Sequence, residues 1–184
     1  MILPIEVYGS PVLRTRSVDI DSDYPELQQF IADMWETMYH ADGVGLAAPQ
    51  VGRNIRIIVI DANSIADEDP SLEGFKKVLI NPYIKQMEGA PVLLKEGCLS
   101  LPGIREEVPR KPDIDIEYYD ESFRLHKEHW SGMKARIVQH EFDHLEAILF
   151  IDRLAPIKRK LLRARLTGIS KGNVEVAYKI KTYR

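Results

Sequence analysis

His140, Glu141 and His144 stand in the order His-Glu-x-x-His, inside the run Gln139-His140-Glu141-Phe142-Asp143-His144-Leu145. Residues four apart stack on one face of a helix, so both imidazoles can reach a single metal ion. Glu141 sits beside that pair without needing to ligate, and its carboxylate can move a proton to and from a water. The chemistry this predicts is hydrolysis at a metal centre. The pattern needs a helix to hold it, and residues 132–149 are expected to form one. Met133, Ile137, His140, Glu141 and His144 would share a face, with Leu145, Ile148 and Leu149 continuing an apolar stripe.

A catalytic metal usually takes three protein ligands and keeps one position open for water. No histidine follows His144, and the positions where a metzincin carries Gly and His hold Ala147 and Phe150. Glu146 is too near along the helix, and Glu175 lies in a basic tail. Upstream, Cys98 is the single cysteine and follows Gly97 at the end of an expected strand. A thiolate with two imidazoles suits zinc or iron. Taken alone, one cysteine is most simply a small buried hydrophobe. Beside His-Glu-x-x-His, with no other credible ligand, Cys98 is the expected third donor. His126 and His129 lie three apart in an expected strand, on opposite faces, and are expected to be structural. A single cysteine excludes an internal disulfide and fits a reducing cytoplasm.

The elements around these residues follow from composition and pattern. The chain has 184 residues, 45 % apolar and 29 % charged, which fits one soluble domain over residues 1–184. Its start lacks the features of a signal peptide, and no stretch is apolar enough to span a membrane. Residues 1–20, with Pro4, Gly9 and Pro11, are expected to be an irregular arm. An amphipathic helix is predicted over residues 25–40, with Leu27, Phe30, Ile31, Met34, Trp35, Met38 and Tyr39 on one stripe and His40 capping its end. Residues 43–50, taken alone, read as a tight connection whose glycines let another backbone approach. A buried strand over 55–61 and an exposed acidic loop over 62–75 come next. Then follow a strand broken at Asn81-Pro82, a strand leading from Val92 into Glu96, a turn at Pro102-Gly103, and a hairpin of residues 113–119 with 123–130. Pro156 opens a last helix to about Thr167, closed by Gly168, and residues 174–178 are a candidate strand.

The net charge of −3 hides an asymmetry. Residues 153–184 hold ten Lys/Arg and one acid, Glu175, or +9; the rest hold 15 basic and 27 acidic groups, or −12. A basic tail (residues 155–184) on an acidic body predicts an anionic partner, and a solvated surface helix explains it equally well.

Three motifs stand in order: Gly43-Val44-Gly45-Leu46-Ala47-Ala48-Pro49-Gln50, Glu96-Gly97-Cys98-Leu99-Ser100, and the run from Gln139 to Leu145. Together they resemble the peptide deformylase family. Its boxes Gly-x-Gly-x-Ala-Ala-Pro-Gln, Glu-Gly-Cys-Leu-Ser and Gln-His-Glu-x-Asp-His-Leu are matched at every fixed position, and the second is similar to the active bacterial form. Ala147 stands where many members carry glycine, an exchange expected to act on helix packing. Beyond Gly168 no family motif continues.

The resemblance implies an α+β fold: mixed and antiparallel strands around a central metal-binding helix, an N-terminal amphipathic helix and a basic C-terminal helix. It implies removal of the formyl group from N-formylmethionyl peptides at the start of new polypeptides, in the cytoplasm, releasing formate. It implies one divalent metal per chain, held by Cys98, His140 and His144: Fe2+ in the cell, with Zn2+ or Ni2+ as substitutes. Glu141 is then the proton carrier, and the Gln50 amide and the Leu99 backbone N–H are donors to the formyl oxygen. Val44, Leu94, Met133 and Ile137 would form a methionine pocket. Backbone groups near Val44, Gly45 and Gly97 would pair with the peptide. Glu96 corresponds to the family's structural acid, with Arg105 or Arg110 as its partner. Asp143 is turned away from the metal and is expected to support it from behind. Some members are thought to dock on the ribosome by a C-terminal helix.

Two other readings stand beside this one. A metallopeptidase cutting internal bonds would want a downstream ligand, and none is present. A ribosome- or RNA-binding protein with a structural metal would close all four positions with protein groups, and only three convincing ligands are in sight.

Overall fold

The structure is a computed structural model and describes residues 1–183; Arg184, the last basic residue of the tail, lies outside them. In chain order it contains β1 (Ile5–Glu6), α1 (Leu27–His40), β2 (Gly45–Ala47), β3 (Ile57–Asp61), β4 (Lys76–Glu88) and β5 (Val92–Gly97). There follow β6 (Arg105–Arg110), β7 (Asp113–Tyr119), β8 (Leu125–Ser131), α2 (Gly132–Leu145), α3 (Pro156–Ser170) and β9 (Ile180–Lys181). Strands β2, β3, β4, β7 and β8 form one antiparallel sheet in that order, β5 and β6 pair separately, and β1 and β9 pair in parallel. No helix among the described residues is long and apolar enough to cross a membrane.

The β-branched run of β3 explains the layering. Ile57, Ile58, Val59 and Ile60 are all fully buried, because both faces of this strand are covered. Alternation sends Ile57 and Val59 to one side, where Phe30, Ile31, Met34 and Met38 of α1 meet them. Ile58 and Ile60 face the other side, against Ala135, Val138 and Leu145 of α2. A third cluster, with Leu101, Ile104, Val108, Phe150, Leu162 and Leu166, joins α3 to the β5–β6 pair. Each such side chain contributes about 1.5–3 kcal/mol on burial. The His-Glu-x-x-His run thus sits on a helix clamped to a sheet, next to a separate hairpin.

Several boundaries differ from the sequence expectation. Residues 1–20 are not wholly irregular: β1 pairs with β9, and Pro11–Arg14 forms a short 3-10 turn. Helix α1 starts at Leu27, two residues after Pro25, because Glu26 is left-handed. Residues 43–50 contain β2 and a 3-10 turn, Ala48–Val51, begins within them. The segment over 62–75 is polar outside but inserts Ala62, Leu72 and Phe75 into the core. Asn81-Pro82 bends β4 without ending it; Asn81 is left-handed, the register shifts between Ile80 and Tyr83, and the Asn81 amide bonds both Ile20 N–H and Ile20 C=O. Strand β6 was not expected, since Pro109 and its charges mask it. Residues 174–178 form no strand; the strand lies at β9.

Both later helices end through the same device. In α2, Ala147 takes φ 60, Ile148 N–H reaches Asp143 O at 2.9 Å and Ala147 N–H reaches His144 O at 3.3 Å. That is a Schellman stop, so α2 ends at Leu145 rather than at residue 149. In α3, Gly172 (φ 78) plays the same part, with Asn173 N–H on Gly168 O at 2.9 Å; Gly168 is inside the helix, which runs to Ser170. Ala147 therefore acts on helix termination, not on packing. Left-handed geometry costs an L-residue about 1–2 kcal/mol, and glycine escapes most of it. Ala147→Gly should stabilise the chain by about 1 kcal/mol, read as a higher denaturant midpoint with an unchanged slope.

Candidate metal centre

Helix α2 presents His140 and His144 toward the end of β5, where the chain turns at Cys98. The Cys98 Sγ and one ring nitrogen from each histidine lie within 4.8 Å of one another. Cys98 Sγ is 3.4 Å from His144 Nε2. Donors on one tetrahedral zinc, at its usual bond lengths, stand about 3.6 Å apart, so this pair fits a shared cation. The Nδ1 of His140 is held by Glu96 Oε1 at 2.8 Å, which leaves Nε2 for a metal, and a carboxylate behind a ligating imidazole is the common arrangement. Burial, then His140 and Arg110, hold His144 well below its usual pKa, so its ring is neutral and able to ligate. For His140, burial is outweighed by Cys98 and Glu96, which raise it well above the usual value. Cys98 and Glu96 thus make this a place that favours positive charge, which a divalent cation would supply. The donor set fits such an ion.

Behind the histidines lies a buried ionic lattice. Glu96 accepts from Arg110 Nε at 2.6 Å and NH2 at 2.9 Å, and from Arg136 NH1 at 2.7 Å. Asp143 accepts from Arg110 NH1 at 2.8 Å and from Arg153 Nε and NH2 at 2.7 and 2.6 Å. Arg110 bridges the two carboxylates, each of which has a second arginine, and removing one partner of a buried ion pair costs about 3–5 kcal/mol. Burial alone would raise the Glu96 carboxyl, yet His140 and Arg110 hold it down at about 2. Of the two arginines expected beside Glu96, Arg110 takes that place. Arg105 does not; its guanidinium lies over Gly97.

Glu141 is buried at the junction of α2 and β2, and its Oε2 has no hydrogen-bond partner among the described residues. Burial pushes its carboxyl up to about 7, against the pull of His140. Gly45 explains how β2 comes so close: a Cβ there would stand 2.6 Å from Glu141 Oε1. Gln50 is anchored by its Oε1, which accepts from Ala47 N–H at 2.9 Å, while Nε2 donates to Ser100 Oγ at 3.1 Å and faces Cys98 Sγ at 3.5 Å. The Leu99 N–H has no protein partner among the described residues. Val44, Met133 and Ile137 are partly buried against the sheet–α2 core. Leu94 is 40 % exposed on β5, on the same face as Glu96.

The model of the polypeptide deformylase family matches residues 2–160. The chain belongs to that family. It is 50 % identical to a peptide deformylase of Christiangramia forsetii over 98 % of this chain and 96 % of the relative. The solved peptide deformylase of Thermus thermophilus superposes with a TM-score of 0.81 at 41 % identity, over 94 % of this chain and 99 % of that one. That of Thermotoga maritima gives 0.76 at 39 % identity, over 85 % and 99 %. Family membership makes the chain a metal-dependent hydrolase that removes the N-formyl group from new polypeptides.

The structure also brings in residues that the family motifs did not flag. Arg136 and Arg153 complete the lattice around Glu96 and Asp143. Arg136 could be read from its place four before His140 on the inward face of α2, where a charge needs a partner. Tyr178, from the tail, donates to Leu99 O at 2.8 Å. No sequence pattern announces that contact. His126 and His129 are placed away from the cluster, paired with Asp120 and Asp115.

Proposed function

We propose that Cys98, His140 and His144 hold one divalent cation and that Glu141 carries the proton in hydrolysis of an N-formyl amide. The observation behind this is the convergence of three ligand atoms beside a buried carboxylate with an unpartnered oxygen. Bound there, the cation supplies Lewis-acid chemistry, lowering the pKa of a water and polarising a carbonyl oxygen. Glu141 takes a proton from the water that attacks the formyl carbon. It returns that proton to the amide nitrogen as the C–N bond breaks, leaving formate and a free amine. Gln50 Nε2 and Leu99 N–H donate to the formyl oxygen as negative charge builds there. Glu96 and Arg110 hold the His140 ring in place, with Arg136 behind them. Helix α2 is thus the central metal-binding helix of a single catalytic domain, flanked by the amphipathic α1 and the basic α3.

A formyl group is small, so selection falls to the residue that carries it. Val44, Leu94, Met133 and Ile137 form the methionine pocket. Among the described residues, strand β2 is an edge of its sheet and β5 pairs with β6 alone, which leaves each an edge for an extended peptide. Val44, Gly45 and Gly97 supply the backbone groups. Fe2+ is the working metal in the cytoplasm, with Zn2+ or Ni2+ as replacements.

Formyl-Met-Ala-Ser and an unblocked peptide with internal bonds separate this reading from a metallopeptidase. Formate from the first and no cleavage of the second is expected; cleavage of the second would overturn it. Gly45→Ala forces Glu141 out of position, so turnover should fall by about 10-fold or more with the metal retained, since a displacement near 1 Å can cost about 100-fold. Normal turnover would show that the close approach is unimportant.

The basic helix α3 is the docking element for the ribosome. It buries Leu162, Leu166 and Ile169, so truncation would damage the core. Exposed charges are the better target: Arg159→Gln, Lys160→Gln and Arg163→Gln together should weaken salt-sensitive co-sedimentation with ribosomes. Formate release from a soluble peptide should not change. Undiminished co-sedimentation would remove α3 from this role.

A further inference from the structure

The turn after β5 carries both Cys98 and the Leu99 amide. Its three carbonyls are all tied. Cys98 O accepts from Leu101 N–H at 2.9 Å, Leu99 O from the Tyr178 hydroxyl at 2.8 Å, and Ser100 O from Tyr8 N–H at 3.0 Å. Gln50 Nε2 fixes the Ser100 hydroxyl at 3.1 Å. The Leu99 N–H has no protein partner among the described residues. Two of the three ties come from opposite ends of the chain. Those ends are joined to each other: Ile5 pairs with Ile180, Ile5 N–H donates to Lys179 O at 2.8 Å and Val7 N–H to Lys181 O at 3.2 Å. Lys181 Nζ meets the buried Glu6 carboxylate at 2.9 Å, and Ser10 Oγ donates to the other oxygen of Glu6 at 2.7 Å.

We propose that the joined chain ends form a clasp that holds the Leu99 amide for turnover, with Tyr178 as its positioning residue. This rests on the donor role given to Leu99 above. An oxyanion donor works by being held in place before charge develops, so it costs no reorganisation at that moment. A peptide flanked by untied carbonyls would rotate and lose that advantage. Tyr178 touches no reacting atom in this scheme; it acts by fixing the peptide on the C-terminal side of Leu99. The tail beyond α3, which carries no motif of its own, thereby gains a function at the metal centre.

Tyr178→Phe removes one hydroxyl and leaves the ring. Tyr183→Phe, on an exposed tail tyrosine, is the control. The metal-loaded variants are compared by kcat and KM on formyl-Met-Ala-Ser, by metal content, and by the 15N relaxation of the Leu99 amide. Tyr178→Phe should mobilise the Leu99 amide and lower kcat by about tenfold, less than the 10²–10³-fold of losing such a donor outright. KM and metal content should stay as in the parent. A Leu99 amide as rigid as in the parent overturns the clasp. A fall in kcat that merely follows lost metal, or a raised KM, also overturns it, because Tyr178 would then only support the fold. Because relaxation needs no turnover, it decides the clasp separately from the hydrolytic reading. A mobile amide with intact kcat would count against Leu99 as a donor, and so against positioning for turnover.

Discussion

Glu141→Ala should keep its metal and lose about 10²- to 10⁴-fold in formate release, the usual worth of a positioned general base. The size follows from where this carboxylate stands. It is buried, and no other group among the described residues bonds its Oε2. Burial has pushed its carboxyl up to about 7. A divalent cation bound beside it would favour the carboxylate and draw that value down, leaving it ready at neutral pH to accept a proton. Replacing it removes an ionisable group that the fold must keep out of water, so stability should not suffer. The checks are metal content, a thermal melt and single-turnover formate release on one preparation. A variant that turns over near the parent rate with its metal in place would end the proton-carrier assignment.

Cys98→Ser should release the metal. Changes behind a ligand already cost about 10–100-fold in metal affinity, so losing a direct thiolate should cost more. The two histidines would remain, with His140 still fixed by Glu96, and two imidazoles alone hold divalent ions weakly. Serine keeps the size of the side chain and the turn, so the loss isolates the sulfur. The checks are the metal bound after dialysis against a mild chelator and the activity restored by excess Zn2+ or Ni2+. A serine variant that stays fully metallated and active would remove Cys98 from the ligand set.

Much of this was readable from the chain because the chemistry is dense in three short motifs. The four-residue spacing of His140 and His144 already implied one helix face, and Cys98 is the chain's single cysteine. Strand β3 was legible because four consecutive apolar residues, all β-branched, need two covered faces. What could not be read came from contacts distant in sequence or from backbone geometry. The β1–β9 pair joins the two ends through strands of two residues each, too short to leave a pattern. The stop of α2 depends on Ala147 taking a left-handed conformation that alanine does not advertise. Arg105 and Arg110 look alike on paper. Strand alternation separates them, since five residues apart they point to opposite faces of β6, and only Arg110 turns toward Glu96.

Formate release from formyl-Met-Ala-Ser, by protein purified without oxygen and with bound metal counted on the same sample, tests the central claim most directly. Release that tracks about one metal per chain, stops on chelation and returns with added Fe2+ is the predicted result. A folded, fully metallated chain that releases no formate would contradict it, and the cation at Cys98, His140 and His144 would then be structural.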